Sequence, residues 1–441
     1  MAEIRAFRGL RYDEKAGDIG SLCCPPYDII SKEERLRYLE KNPYNIIRLE
    51  LPEALSDSPN LDVYATAGQF LRDWLGRGIL KNEPNECIYI YEMEFEVYGQ
   101  KKSVTGFISL IKLEEFSKGI VLPHEETLSK AKTDRFNLMK ATNCNFSQIY
   151  SLYNDQSGEI AVLLNEAKKE SPTSSFTDGD GVTHKLWVID TASPASFIGK
   201  LTALMAPKKV YIADGHHRYE TALNYRNSHS AQSVGSNERG TADYVPMMLV
   251  NMENDGLVVF PTHRIVRDLG GYEQNEILNK CEEFFEITPN LNRENAQNTL
   301  NQAYAKGEKA FALYSGGNNF VCLKLKCGDG GAASIMNEFM PGASEALRGL
   351  DVSVLHTLVL ERIFGIDKEN MANQVNLTYT RNTDEAISAV DDKRANCCFL
   401  LNPTRVDEIS GVAAAGEKMP QKSTYFYPKL TTGLVMNQIV K

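Results

Sequence analysis

Residues 87–113, CIYIYEMEFEVYGQKKSVTGFISLIKL, alternate apolar and polar side chains and are rich in β-branched and aromatic types, with Gly99 midway. That pattern predicts a β-hairpin. NIIRLELP (45–52), HKLWVID (184–190) and CCFLLNP (397–403) read as further strands. DYVPMMLVNMENDGLVVFPTHRIV reads as a strand pair turning at Asn254-Asp255-Gly256. Helical spacing marks residues 62–79, 159–170, 195–205, 272–284 and 293–306, and DVSVLHTLVLERIFG reads as a buried helix. Ser31 followed by Glu34 forms a capping box opening another helix, which Pro43 stops. Strands are also expected at 285–288, 309–314 and 319–325. The pattern changes near DLGGYEQNE, which places a boundary near residue 270. An N-terminal α+β domain (1–270) and a C-terminal α/β domain (271–441) are therefore expected.

Composition narrows the class. The chain has 441 residues, too many for one ordinary core. Its net charge of -10 argues against a nucleic-acid partner of the general duplex-binding kind, which needs a basic face. No apolar run approaches a membrane span, and the start lacks a signal-peptide core. The nine cysteines include two adjacent pairs and no C-x-x-C, as expected of reduced thiols in a cytoplasmic protein.

The stretch YIADGHHRYETALNYR (211–226) carries two of the seven histidines side by side. A strand ending in Asp214 meets Gly215, and a helix opens near His216, with Tyr219, Ala222 and Leu223 on its core face. The first turn of a helix offers free N–H groups and partial positive charge to an anion. Arg218 adds a planar fork suited to phosphate. Asp214 is placed to take a proton or to ligate a metal. A transition-metal site built from Asp214, His216 and His217 fits less well, because adjacent helical residues diverge by about 100°.

Two other stretches carry candidate chemistry. PHEETLSKAKTDRF supplies His124 and Glu125, but Leu128 stands where a zinc-protease histidine would be. Lys132, Asp134 and Arg135 open the helix that follows. EKMPQKSTYFYPKL packs Lys418, Lys422, Ser423, Thr424 and Lys429 into one irregular segment, a basic island with hydroxyls that lacks the Walker pattern. Near the start, CCPPYD presents Tyr27 and Asp28 on a proline-fixed turn.

Together FRGLRYD, PPYDIIS, HEET, KTDRFNLM, IADGHHRYETAL, PTHRIV and MPQKSTYFYPKL resemble the DUF1015 family of bacterial and archaeal proteins, over almost the whole chain. The DGHHR corner also resembles the G-x-x-R corner of the ParB/sulfiredoxin superfamily, which includes nucleotide-binding partition proteins, sulfiredoxin and free-serine kinases. This second resemblance implies an α+β fold with a ParB/sulfiredoxin-like mixed α/β N-terminal part and a second α/β domain. It also implies phosphate handling at Asp214, Gly215, His217 and Arg218, and a place in serine metabolism. Sulfiredoxin's essential cysteine has no counterpart, since Asp214 and His216 flank the glycine.

The expected function is phosphoryl transfer to or from a small metabolite, serine or phosphoserine being the specific expectation. It needs a phosphate cradle, a cation and a proton acceptor. Asp214, Glu125 and His217 are the candidate catalytic residues. Gly215, His216, Arg218, Lys422, Ser423 and Thr424 are candidates for phosphate or nucleotide binding, and His124, Arg135 and Tyr27 for substrate binding. ATP or ADP would be the donor, with Mg²⁺ expected and Asp214 as its candidate ligand. The alternatives are a ParB-like nucleotide-binding regulatory protein and a metal-dependent hydrolase.

Overall fold

The computed structural model describes residues 1–52, 62–127, 129–190, 196–230, 242–327 and 331–439. Leu128 and residue 195, where a helix was expected to begin, lie outside them. The fold is α+β, in two compact units. Unit 1 comprises Met1–Pro123, Thr127–Leu257 and Pro428–Lys441; unit 2 comprises His124–Glu126 and Val258–Tyr427. These differ from a single cut near residue 270, because the strands at 258–266 pair within unit 2 and the last segment returns to unit 1.

Among the described residues, unit 1 is built on a nine-stranded mixed sheet. Its path runs Val121–Leu122, Val210–Asp214, Ile149–Tyr153, Tyr244–Asn251, Gln100–Lys112, Cys87–Val97, Thr183–Asp190, Ser174–Thr177, and the ninth strand, Ile4–Arg5, pairs with Gln100–Lys112 off this path. The expected hairpin is present, with Tyr98 and Gly99 both at positive φ in a two-residue turn. One core gathers Ile90, Phe107, Ile149, Ile212 and Tyr219. A second gathers Ile46, Ile47, Leu49, Leu71 and Trp74.

Two expectations in this unit fail. NIIRLELP is a helical turn, Ile47–Glu50, rather than a strand. A short apolar run buried on all sides fits either state. Here Asn45 decides, because its carboxamide accepts from the Ile47 amide at 3.0 Å and donates to the Ser21 carbonyl at 2.7 Å. The strand pair across Asn254-Asp255-Gly256 does not form either. Tyr244–Asn251 has both edges filled, by Gln100–Lys112 and Ile149–Tyr153. Val258–Phe260 pairs instead with Tyr425–Tyr427.

Unit 2 carries an antiparallel six-stranded sheet in the order Phe285–Leu291, Phe320–Leu325, Ala310–Tyr314, Cys397–Leu400, His263–Val266, Leu377–Thr380. Helices Arg293–Lys306 and Thr383–Asp391 pack on it through Ala296, Leu300, Ala386 and Val390. The buried DVSVLHTLVLERIFG helix begins as Asp351–Val354 and widens into a π-helical stretch, Leu355–Glu361. No helix among the described residues is long and apolar enough to cross a membrane.

Candidate active site

The corner is built by a bulge. Val210–Asp214 runs antiparallel to Ile149–Tyr153, pairing Ile212 with Ser151 and Asp214 with Tyr150, so Ala213 is an extra residue. A bulge re-aims the side chain that follows it, here Asp214. Gly215 then turns the chain at φ +95° into the helix His216–Ser230. A Cβ at this glycine would lie 2.9 Å from Arg218 Nε, because the guanidinium folds back over it. The expected core face holds, with Tyr219, Ala222 and Leu223 all buried.

Asp214 sits between two cations. Its Oδ2 accepts from Arg218 Nη2 at 2.9 Å and its Oδ1 accepts from Lys429 Nζ at 2.8 Å. Arg218 also donates to the Gln148 carbonyl. All three charged side chains are largely buried, between 12% and 19% exposed. Burial alone would raise the Asp214 carboxyl, but Lys429 and Arg218 outweigh it and hold the group well below the usual carboxylate range. His216, buried in the first turn, acts in the same direction.

So clamped, Asp214 is a weak proton acceptor. It also fits poorly as a Mg²⁺ ligand, since each oxygen already faces a cation that would repel the ion. Among the described residues, no cluster of three or more His, Cys, Asp or Glu side chains is arranged to hold a metal.

Arg218 also lines a cleft of about 40 Å³, together with Glu50, Arg135, Asn145, Ser147 and Thr221. Arg135 is itself buried. Its Nε donates to Asp134 Oδ2 at 2.7 Å, its Nη1 donates to the Glu50 carbonyl at 2.8 Å, and the Tyr27 ring lies 4.2 Å from the guanidinium carbon. Tyr64 donates to the other oxygen of Asp134 at 2.9 Å. Glu50 is 3% exposed, and burial raises its carboxyl despite the opposing pull of Arg135 and Arg218.

Unit 1 thus brings Asp214, Gly215, His216, His217 and Arg218 together, and Arg218 shares one cleft with Arg135, on which Tyr27 stacks. Three contributors escaped the sequence reading. Glu50 lay hidden in a run read as a strand. Asp134 was visible only as a first-turn acid. Lys429 was read as part of the basic island, not as Asp214's partner. An acid at the end of a buried apolar run was the available signal for Glu50.

The other candidates lie in unit 2. His124 is buried, with Nε2 3.0 Å from Thr424 Oγ1. Glu125 accepts from the Lys422 amide at 2.6 Å, and Met419 donates from its amide to the His124 carbonyl at 2.7 Å. The Ser423 hydroxyl donates to the Pro420 carbonyl. The Ser423 hydroxyl thus closes its own loop and the Thr424 hydroxyl ties that loop to His124, while the Lys422 side chain is exposed.

The family model described as "Protein of unknown function (DUF1015)" matches residues 4–353. The chain belongs to the DUF1015 family. A search of curated proteins found no match. Solved structures give low-scoring likenesses. A conserved hypothetical protein from Pyrococcus furiosus is 13% identical at a TM-score of 0.35, covering 73% of this chain and 92% of that one. A point mutant of a free serine kinase in complex with ADP is 12% identical at 0.35, covering 72% and 87%. The free serine kinase in complex with AMP is 13% identical at 0.36, covering 72% and 86%.

Proposed function

We propose that this DUF1015 protein is a phosphotransferase acting on a small metabolite, with a nucleotide as donor and with the corner and its cleft as the reacting centre. The observation that supports this most is the pairing of two carboxylates of opposite tendency, Asp214 lowered and Glu50 raised, with Arg218 facing both. Environments that push two acids apart assign them different roles. Glu50 takes the acceptor's proton. Asp214 stays ionised and fixes Arg218 and Lys429.

The amides at the start of the helix and the Arg218 guanidinium receive the transferred phosphoryl group. His217, half-buried in the first turn, stands where it can contact that group. The cleft holds on the order of three waters, so it takes the reacting end of a small molecule and no nucleotide base. Mg²⁺, where present, would neutralise donor phosphates, and Asp214 is not assigned to it.

The test is phosphorus NMR with Mg²⁺, pairing serine or phosphoserine with ATP, ADP or AMP in turn. A signal moving between nucleotide and serine, lost in Glu50→Gln, supports the assignment. No transfer in any mixture overturns serine phosphotransfer.

A further inference from the structure

The helix that opens at the corner brings a second polar side chain to the cleft. Thr221 follows Arg218 by three residues on His216–Ser230, so the two are neighbours on one helix face. Both line the cleft with Glu50 and Arg135. Thr221 is 1% exposed, and its Oγ1 has no hydrogen-bond partner among the described residues. A helical threonine can return its hydroxyl to the carbonyl four residues back. Thr66 does so to Asp62 at 3.2 Å, Thr142 to Leu138 at 2.8 Å and Thr299 to Asn295 at 2.9 Å. Thr221 makes no such bond to the His217 carbonyl. A buried hydroxyl without a partner is costly, and the cleft beside it, of about 40 Å³, has room for a polar group to supply one.

The rest of the lining says what that group is. Arg218 donates to the Gln148 carbonyl and to Asp214. Arg135 donates to Asp134 and to the Glu50 carbonyl. A guanidinium has five N–H groups, so each arginine keeps donors beyond these bonds. Asp134 and Asp214 hold the two guanidiniums from outside the lining, where Glu50 is the one acid. A ligand group seated against two guanidiniums and away from water is favoured by negative charge and by oxygens that only accept. A hydroxyl facing such a group donates to it.

We infer that Thr221 is a ligand-binding residue, whose hydroxyl donates to an oxyanion held in the cleft by Arg218 and Arg135. The oxyanion is either the phosphoryl group or a carboxylate of the acceptor, since a hydroxyl serves both alike. The inference rests on the cleft being the reacting centre, and it gives that centre a neutral donor beside its two cations. It also fixes the sign of a mutation. Thr221→Val keeps the β-branched shape and removes a hydroxyl that bonds to nothing in the protein. The variant therefore loses ligand affinity without losing stability, whereas a structural threonine would lose stability first.

The experiment is calorimetric titration of the full chain with inorganic phosphate and, separately, with acetate, comparing wild type, Thr221→Val and Thr221→Ser. Thr221→Val is expected to weaken binding about tenfold, the worth of a hydrogen bond to a charged group, and Thr221→Ser to restore it. Chemical denaturation without anion should show Thr221→Val at least as stable as wild type. A loss confined to phosphate assigns Thr221 to the phosphoryl group, and a loss confined to acetate assigns it to a carboxylate. Equal affinities in wild type and Thr221→Val overturn the binding role, as does a fall in stability with affinity unchanged. If Thr221→Val does not fold, Thr221→Ala against Thr221→Ser gives the same comparison. Wild type that binds neither anion overturns the oxyanion site, and phosphorus NMR still judges phosphoryl transfer by itself. The expected losses without any phosphoryl transfer would leave the oxyanion site standing and overturn only the reaction.

Discussion

Both units bury charged side chains, but they arrange them to opposite effect. In unit 1 Arg218, Arg135 and Glu50 line a cleft, Asp214 pairs with Arg218 beside it, and the carboxyls of Asp214 and Glu50 are driven in opposite directions. In unit 2 they close on one another. Lys309 bridges Asp351 at 3.0 Å and Glu408 at 2.9 Å, tying the starts of two helices to a strand. Arg264, with no exposed surface, donates to the Thr262 carbonyl and to His356 Nε2 at 3.3 Å, with the Tyr379 ring 5.3 Å away. Buried charge alone therefore does not mark a site. Convergence on a cleft, with one acid raised beside one lowered, is the more informative sign.

The sharpest way to break this contrast is Glu50→Gln. If Glu50 is the proton acceptor, turnover should fall by about 10²–10⁴-fold with little change in AMP binding. Steady-state kinetics checks it, and unchanged turnover would return Glu50 to a structural role. Next is Asp214→Asn, which leaves Arg218 and Lys429 largely buried without their counter-charge. The expected loss is about 3 kcal/mol of stability by chemical denaturation. The pH dependence gives a second check. Because the folded-state pKa is lowered, Asp214's contribution is complete above its unfolded value of about 3.9 and fades as pH falls below it. The variant should lack that acid-linked loss.

How far the sequence reached follows the same division. The corner was legible because its signals are local: a buried strand, a glycine, and a helix start rich in cations. The bulge at Ala213 was not, since register depends on the partner strand Ile149–Tyr153. Lys429 lies 215 positions from Asp214, and only the path of the last segment brings them together. Glu50 was masked because NIIRL reads equally as strand or helix until the Asn45 side chain accepts from the Ile47 amide. In unit 2 the helix 293–306 was read at its observed bounds, from an Asn292 cap to a left-handed Gly307. At Ser423 and Thr424 a hydroxyl beside a lysine looks the same in sequence whether it binds an anion or holds a loop.

Acid should separate the two regions. His263 is 3% exposed, its Nε2 lies 3.0 Å from Thr383 Oγ1, and its Nδ1 accepts from the Leu401 amide at 3.2 Å. Burial first, and Arg264 second, push it down to about 4. The unfolded chain binds that proton from about pH 6.5 downward, so unit 2 loses stability as pH falls through this window. A shift of this size amounts to about 3 kcal/mol. Glu50, raised in unit 1, works the other way there, because its folded form holds a proton more readily. Hydrogen exchange, corrected for intrinsic rates, should show protection falling at His263–Val266 before it falls at Val210–Asp214. Simultaneous loss would mean that one cooperative transition hides the difference.

The smallest expected effect tests the contrast at its weakest point, the lysine–hydroxyl loop. Lys422 has an exposed side chain, and what it contributes to its surroundings is a backbone amide, donated to Glu125 at 2.6 Å. Lys422→Ala keeps that amide and should change stability by no more than about 0.5 kcal/mol. AMP affinity should also stay within about twofold, because an exposed ammonium interacts through screened charge. Thr424→Val, by comparison, removes the buried bond to His124 and should cost about 1 kcal/mol, again without altering AMP affinity. If Lys422→Ala instead abolished AMP binding while Thr424→Val left it intact, a long-range cation would be shown to act on the nucleotide. Unit 2 would then share in the site, and its closed appearance would describe only the loop's own hydrogen bonds.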